Sequence, residues 1–441
     1  MANERRTFQS DPDPPSGASG ESGPRRQSSE QFGASSKARL SELIAMAMAY
    51  RNWTQREVAS FVGRDAHNLI PPSGIPKVDL VVRLAQALDW PASAVLEDIC
   101  GPRSAGKPPP DEQEVGEDFR SLNRASYGAC ASGEFVKALE LALRAAAVAS
   151  TPDERAEADR RESVAWDYLG RFQSSIEAAQ RGLRRPGVSA PLRADLRANL
   201  ASCYFALGQV HEGEALAVAL LHELGLLEVG SDTREAIEAH LLYVRAQCRL
   251  HRVDGEPDLM ECLAKSARAD FLSSSERWAR VADRSGVSSF VGRCHICQGG
   301  VLATDAVLHL RPTETVLTEF VEGLQGAVDL NLVPKGDPLE GFGWWCIFGA
   351  SVALRAGDEI AERDRYLAIF ANKAYEIADL SGNWSLRERA FTIDFLRSAM
   401  SAGGGGLVLD GEDVRVLTGT MGRFPAFRPL GWEILRKAER I

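Results

Sequence analysis

Three glycines recur in this chain with the same neighbours, and that repetition limits its possible folds more than any other feature. Gly133 is followed by Phe135, Ala138 and Ala142, Gly170 by Phe172, Ser175 and Ala179, and Gly208 by Val210, Gly213 and Ala217. The shared pattern is G-x-[FV]-x-x-[small]-x-x-x-A. Seven residues before each glycine stands a small residue (Ser126, Ser163, Ala201), and four before stands Ala129, Trp166 or Tyr204. The glycines lie 37 and 38 residues apart. A glycine between two stretches of helical spacing turns the chain between antiparallel helices. Small residues let the paired helices approach, and the aromatic or Val fills the groove to the next pair. A single hairpin cannot bury its apolar face alone, so neighbours must stack.

From 119 to about 400 the chain is rich in Ala, Leu, Arg and Glu at helical spacing, and strand-like alternation is scarce. The repeat resembles the tetratricopeptide family, whose usual period is about 34. Beyond Gly208 the pattern weakens. His240 to Leu250 and Gly343 to Gly357 would be further first helices of hairpins, and Ile360 to Leu380 a long partner helix. The resemblance implies a concave surface for a peptide or partner protein. Asn199, one turn before Cys203 and Tyr204, stands where many such proteins hold a peptide backbone, and Arg197 and Tyr243 are candidates to join it.

With 441 residues, the chain is expected to hold two to four domains. Residues 1–37 read as a disordered arm, because Pro, Gly and Ser fill 16 of the 37 positions. Residues 101–118 read as a linker, with Pro108, Pro109 and Pro110 in a row and five acids by Asp118. Residues 401–441 open on Gly403 to Gly406 and end in a short amphipathic helix near Trp432 to Ala438.

Between arm and linker, residues 38–100 form a compact helical pattern. A first helix is expected from Ala38 to Tyr50. Thr54 and Glu57 then form a capping box for a second helix that ends at Gly63. Asp65 would cap a third, Ala66 to Ile70. A fourth follows from Val78 to Leu88 and a fifth from Ala92 to Ile99. The run Trp53-Thr54-Gln55-Arg56-Glu57-Val58-Ala59, with Gly63 and the stretch Pro76 to Asp89, resembles the Cro-type, lambda-repressor-like helix-turn-helix family. The fold class expected is therefore all-α: a five-helix helix-turn-helix unit and an α-solenoid of hairpins.

That resemblance implies a third helix in the DNA major groove. Gln55 would sit near a phosphate, Arg64, His67 and Asn68 on or beside the recognition helix, and Lys77 against the backbone. Arg suits guanine and Asn suits adenine. The sequence departs from the family at Ile70-Pro71-Pro72-Ser73-Gly74, because a proline pair cannot extend a helix.

Charge bears on the same question. Basic residues number 51 and acidic residues 61, a net charge of −10 that argues against a chain-wide polyanion surface. Residues 38–100 carry six basic and seven acidic residues, so DNA affinity would need pairing of two copies or help from Arg5, Arg6, Arg25 and Arg26.

Catalytic signatures are absent from the sequence. Cys294-His295-Ile296-Cys297 has no second ligand pair for zinc, and the glycine run lacks the Lys of a phosphate loop. No catalytic residue, metal or cofactor is expected. The longest notable uncharged stretch, Gly341 to Leu354, is only 14 residues, too short to span a membrane. No secretory signal is visible, and the eight cysteines read as reduced cytoplasmic thiols. Two readings follow. One is a cytoplasmic, homodimeric transcriptional regulator that binds operator DNA and senses a peptide or protein. The alternative is a helical-repeat adaptor whose helix-turn-helix no longer binds DNA.

Overall fold

A computed structural model describes residues 40–66 apart from 42, 76–88, 118–226, 231–286, 289–400, 407–424 and 427–440, with 37, 69, 70, 92, 95, 96 and 99 as single positions. The expected arm (except Lys37), the expected linker up to 117, the Pro71-Pro72 break and the Gly403 to Gly406 run lie outside the described residues.

The N-terminal unit holds α1 (Gln55–Phe61) and α2 (Val78–Leu88), preceded by a helical stretch at 43–51. The Thr54 hydroxyl accepts from the Glu57 amide, and the Glu57 carboxylate accepts from the Thr54 amide at 2.7 Å. This reciprocal cap satisfies two donors that a helix start leaves open. Gly63 follows with a positive φ of 69° and ends the turn. Leu80, Leu84 and Leu88, four residues apart, are fully buried beside Leu40, Leu43, Val58 and Val62. Arg51 donates to the Ala87 carbonyl at 2.8 Å and to the Gln86 carbonyl, closing the C-terminal end of α2.

The glycine repeat becomes three helical hairpins: α3 (Phe119–Ala131) with α4 (Phe135–Val148), α5 (Pro152–Tyr168) with α6 (Phe172–Leu183), and α7 (Ala190–Ala206) with α8 (Val210–Leu224). Gly133, Gly170 and Gly208 have φ of 76°, 68° and 79°, a left-handed turn that a side chain would strain. After each, the next amide donates back to the carbonyl four residues before the glycine: Glu134 to Ala129, Arg171 to Trp166, Gln209 to Tyr204. The small residues meet across each hairpin. Ser126 Oγ donates to the Ala138 carbonyl at 2.8 Å, the Ser163 and Ser175 hydroxyls lie 3.0 Å apart, and a Cβ on Gly213 would sit 3.1 Å from the Ala201 carbonyl oxygen.

The stack continues beyond the sequence repeat through α9 (Ser231–Arg252), α10 (Met260–Ser285), α11 (Ser289–Val307), α12 (Thr313–Gly323), α13 (Asp337–Ala356), α14 (Arg363–Ser381) and α15 (Trp384–Met400). Helix α9 begins at Ser231, nine residues ahead of the expected His240, because its polar first turns are held from α10. Glu235 accepts from both Arg280 and Arg284 there. The uncharged Gly341 to Leu354 run is the buried part of α13, packed against α11 and α14. No helix among the described residues is long and apolar enough to cross a membrane.

The C-terminal tail needs correction. Instead of one short helix it forms α16 (Gly411–Arg423) and α17 (Arg428–Lys437). An Asp410–Asp413 capping box starts α16. Two short strands, β1 (Val408–Leu409) and β2 (Glu439–Arg440), pair in parallel, a small exception to the all-α architecture. Leu417 and Met421 are fully buried, and the Phe424 ring meets Phe172 at 5.5 Å. The tail is thus packed onto the second hairpin and α15.

Candidate ligand groove and DNA-contacting unit

The first helices of the hairpins, α3, α5, α7 and α9, line a cavity of about 600 Å³, closed on the far side by α11, α13 and α15. It takes its shape from the row of hairpins meeting α13 again. Tyr168, at the end of α5, donates its hydroxyl to Asp337 at the start of α13, and Arg293 of α11 donates to the same carboxylate at 3.0 Å. The Phe135 ring stacks on Tyr168 at 4.5 Å. A Cβ on Gly336 would fall 2.6 Å from the Ala131 carbonyl oxygen, so only glycine permits this approach of α13 to the first hairpin turn.

The cavity wall is polar on one side and aromatic on the other. Arg160 is held by Glu157 at 2.7 Å and Asp195 at 3.2 Å, while Arg161 pairs with Glu157 at 2.9 Å and lies over the Tyr127 ring. Arg293 packs over Trp278 at 4.8 Å. Ser202 Oγ and His240 Nε2 lie 2.8 Å apart, and burial holds the His240 pKa down to about 4, so the imidazole is neutral at pH 7. Two carboxylates behave differently. Burial raises Asp167 to about 7, opposed only by the charge of Arg293. Glu340 is raised to about 8, first by burial and then by the Asp337 charge, although Asn383 donates to its Oε1 at 2.5 Å.

Of the residues expected on the concave surface, Asn199 and Tyr243 line this cavity and Arg197 does not. The Asn199 amide nitrogen is buried and has no hydrogen-bond partner among the described residues. Tyr243 accepts from Gln247 at 2.7 Å and its ring packs edge-on against Phe271. Arg197 points instead to the α7–α8 seam, where it forms a two-pronged pair with Glu223. Sequence reasoning missed Asp167, Glu340, Arg293 and Asp337. One signal was present: Asp167 stands three residues before the repeat glycine, where the other hairpins carry Cys130 and Phe205. Glu340 borders the uncharged run and drew no notice there.

In the N-terminal unit, Gln55 Nε2 donates to the Ala66 carbonyl at 3.1 Å, tying the start of α1 to the segment after Gly63. Arg64 lies 3.6 Å from Asp79, and Arg83 donates to the Phe61 carbonyl at 3.1 Å. Lys77 is exposed at the start of α2, as is Arg56 on α1, a cation the sequence reading did not single out. His67 and Asn68 lie outside the described residues.

The Cys294/Cys297 pair lies on α11 within the helical packing. Cys297 contacts Ser274 at 3.4 Å and burial pushes its thiol up to about 12, which removes the thiolate needed for reactivity. Between the two cysteines, His295 stacks on Trp345 at 4.2 Å. Among the described residues no three His, Cys, Asp or Glu side chains gather to hold a metal ion.

No protein-family model matches the chain. A search of curated proteins likewise finds no match. Among solved structures, the chain is similar to Bacillus thuringiensis PlcR in complex with the peptide PapR7 and DNA. The identity is 13% and the TM-score 0.36, over 65% of this chain and 93% of that one.

Proposed function

We propose that this chain is a ligand-responsive transcriptional regulator, not an enzyme: the N-terminal unit contacts DNA and the cavity receives an extended peptide. The observation that carries the reading is the Asn199 amide nitrogen, a buried donor without a partner on the wall of a cavity of about 600 Å³. A buried unsatisfied donor costs about 1–3 kcal/mol, which a ligand carbonyl would recover. A carboxamide both donates and accepts, so it suits a peptide backbone. The capped α1 and the buried leucines of α2 support a folded helix-turn-helix. The near-neutral charge of that unit favours a homodimer in the cytoplasm, in which two units add their phosphate contacts.

One observation favours the adaptor reading instead. Arg51, Arg64 and Arg83 are engaged within the protein, which among the described residues of this unit leaves Arg56 and Lys77 exposed for phosphate. Selection from random-sequence DNA at low salt, with the full chain verified as folded, separates the two. The regulator reading expects an enriched motif. Arg64→Ala and Asn68→Ala should then relax that motif, and Lys77→Ala or Arg56→Ala should weaken binding to all sequences. Absence of any enriched sequence sinks it.

A further inference from the structure

Buried carboxylates elsewhere in the hairpins are paired with cations. Asp159 accepts from Arg181 and Arg185, Asp270 from Arg245 and Arg249, and Asp305 from Arg268. Asp167 and Glu340 line the cavity and have no such partner among the described residues. They stand close enough for the charge of Asp167 to act on Glu340. The nearby guanidinium, Arg293, is committed to Asp337 and to the face of Trp278. His240, on the same wall, is held neutral by burial. This corner of the cavity therefore holds more carboxylate than cation, and the aromatic wall, which includes Trp344, can face a positive group.

We propose that Asp167 and Glu340 form a subsite for a positively charged group of the ligand, an ammonium or guanidinium, at the end of the groove closed by α13. The inference rests on the peptide reading and deepens it. The unpartnered Asn199 amide on the same cavity wall is the independent sign that a ligand belongs there. With Asn199 holding backbone, the ligand orients its cation toward Asp167 and Glu340. That cation is either the free N-terminal amine or a Lys or Arg side chain, which share the same chemistry. A carboxylate poised at raised pKa ionises fully when the cation arrives, so binding strengthens the very charge it needs.

The test uses the immobilised full-length chain and a random octapeptide library in three forms. The first has free N-termini and lacks Lys and Arg. The second is N-acetylated and lacks Lys and Arg. The third is N-acetylated with one Lys. Retained peptides are identified by mass spectrometry. The proposal expects the first or third form to be retained about tenfold better than the second, and the winning form names the source of the cation. Asp167→Asn and Glu340→Gln should each abolish that preference while still retaining peptide, and neither should melt below the wild type. Equal retention of all forms by the wild type overturns the cation subsite and leaves the peptide groove standing. Variants that keep the preference also overturn it. Retention of none of the three forms defeats the peptide reading, and this inference with it.

Discussion

The buried acids of the hairpin seams and the two acids of the groove differ in their partners. Asp159 and Asp270 are both buried, yet each is clasped by two arginines. Asp167 and Glu340 have no arginine of their own. Burying a charge without a partner costs several kcal/mol, and a protein avoids that cost unless the site serves a purpose. The seams therefore read as structure. The groove reads as a place where stability has been given up for binding.

The largest effect should come from breaking a seam. Asp270→Ala leaves Arg245 without its carboxylate and Arg249 with Glu214 alone, and stability should fall by about 3 kcal/mol in a denaturant titration. A loss below about 1 kcal/mol would make the seam no more important than a surface pair. The groove should respond in the opposite sense. Asp167→Asn together with Glu340→Gln removes charge that folding has to desolvate, and the melting temperature at pH 8 should rise, by about 2–4 °C for each ~1 kcal/mol recovered.

The pH dependence follows from the same two groups. Folding raises Asp167 from 3.8 to about 7 and Glu340 from 4.5 to about 8. The folded state keeps protons that the unfolded chain releases. Their contribution to stability is full below about pH 4 and is lost as pH rises through about 7 and 8. Between pH 8 and pH 5 the wild type should gain stability relative to the double variant, and that difference should shrink toward zero as pH falls. A constant difference across that range would mean the carboxyls are not titrating there. The smallest effect belongs to an exposed pair of the same chemistry. Lys265 and Glu261 sit one turn apart on the outside of α10, and Lys265→Ala should leave the denaturation midpoint nearly unchanged.

The hairpins were readable because their physics is local. Gly133, Gly170 and Gly208 must take a positive φ, and the small residues around them must let two helices touch, so both leave marks at fixed spacing. The Thr54–Glu57 cap and the leucines of α2 are local in the same way. Helix α16 escaped notice because it packs on a distant element, α15, and only its Asp410–Asp413 cap is local. The groove was half legible. Asn199 stood out by its place in the repeat, whereas Arg197 at the neighbouring turn faces the seam and Glu223. Glu340 comes within reach of the Asp167 charge only when α13 returns to the first hairpins, an approach of residues 173 positions apart that no local spacing announces.

The most direct measurement is the affinity of the full-length chain for a retained peptide, titrated against wild type and Asn199→Ala under identical conditions. The variant should fold normally and bind about five- to tenfold more weakly, the loss of one buried hydrogen bond. Equal affinity for the two proteins would contradict it, because the unpartnered amide would then not be the hold on the ligand.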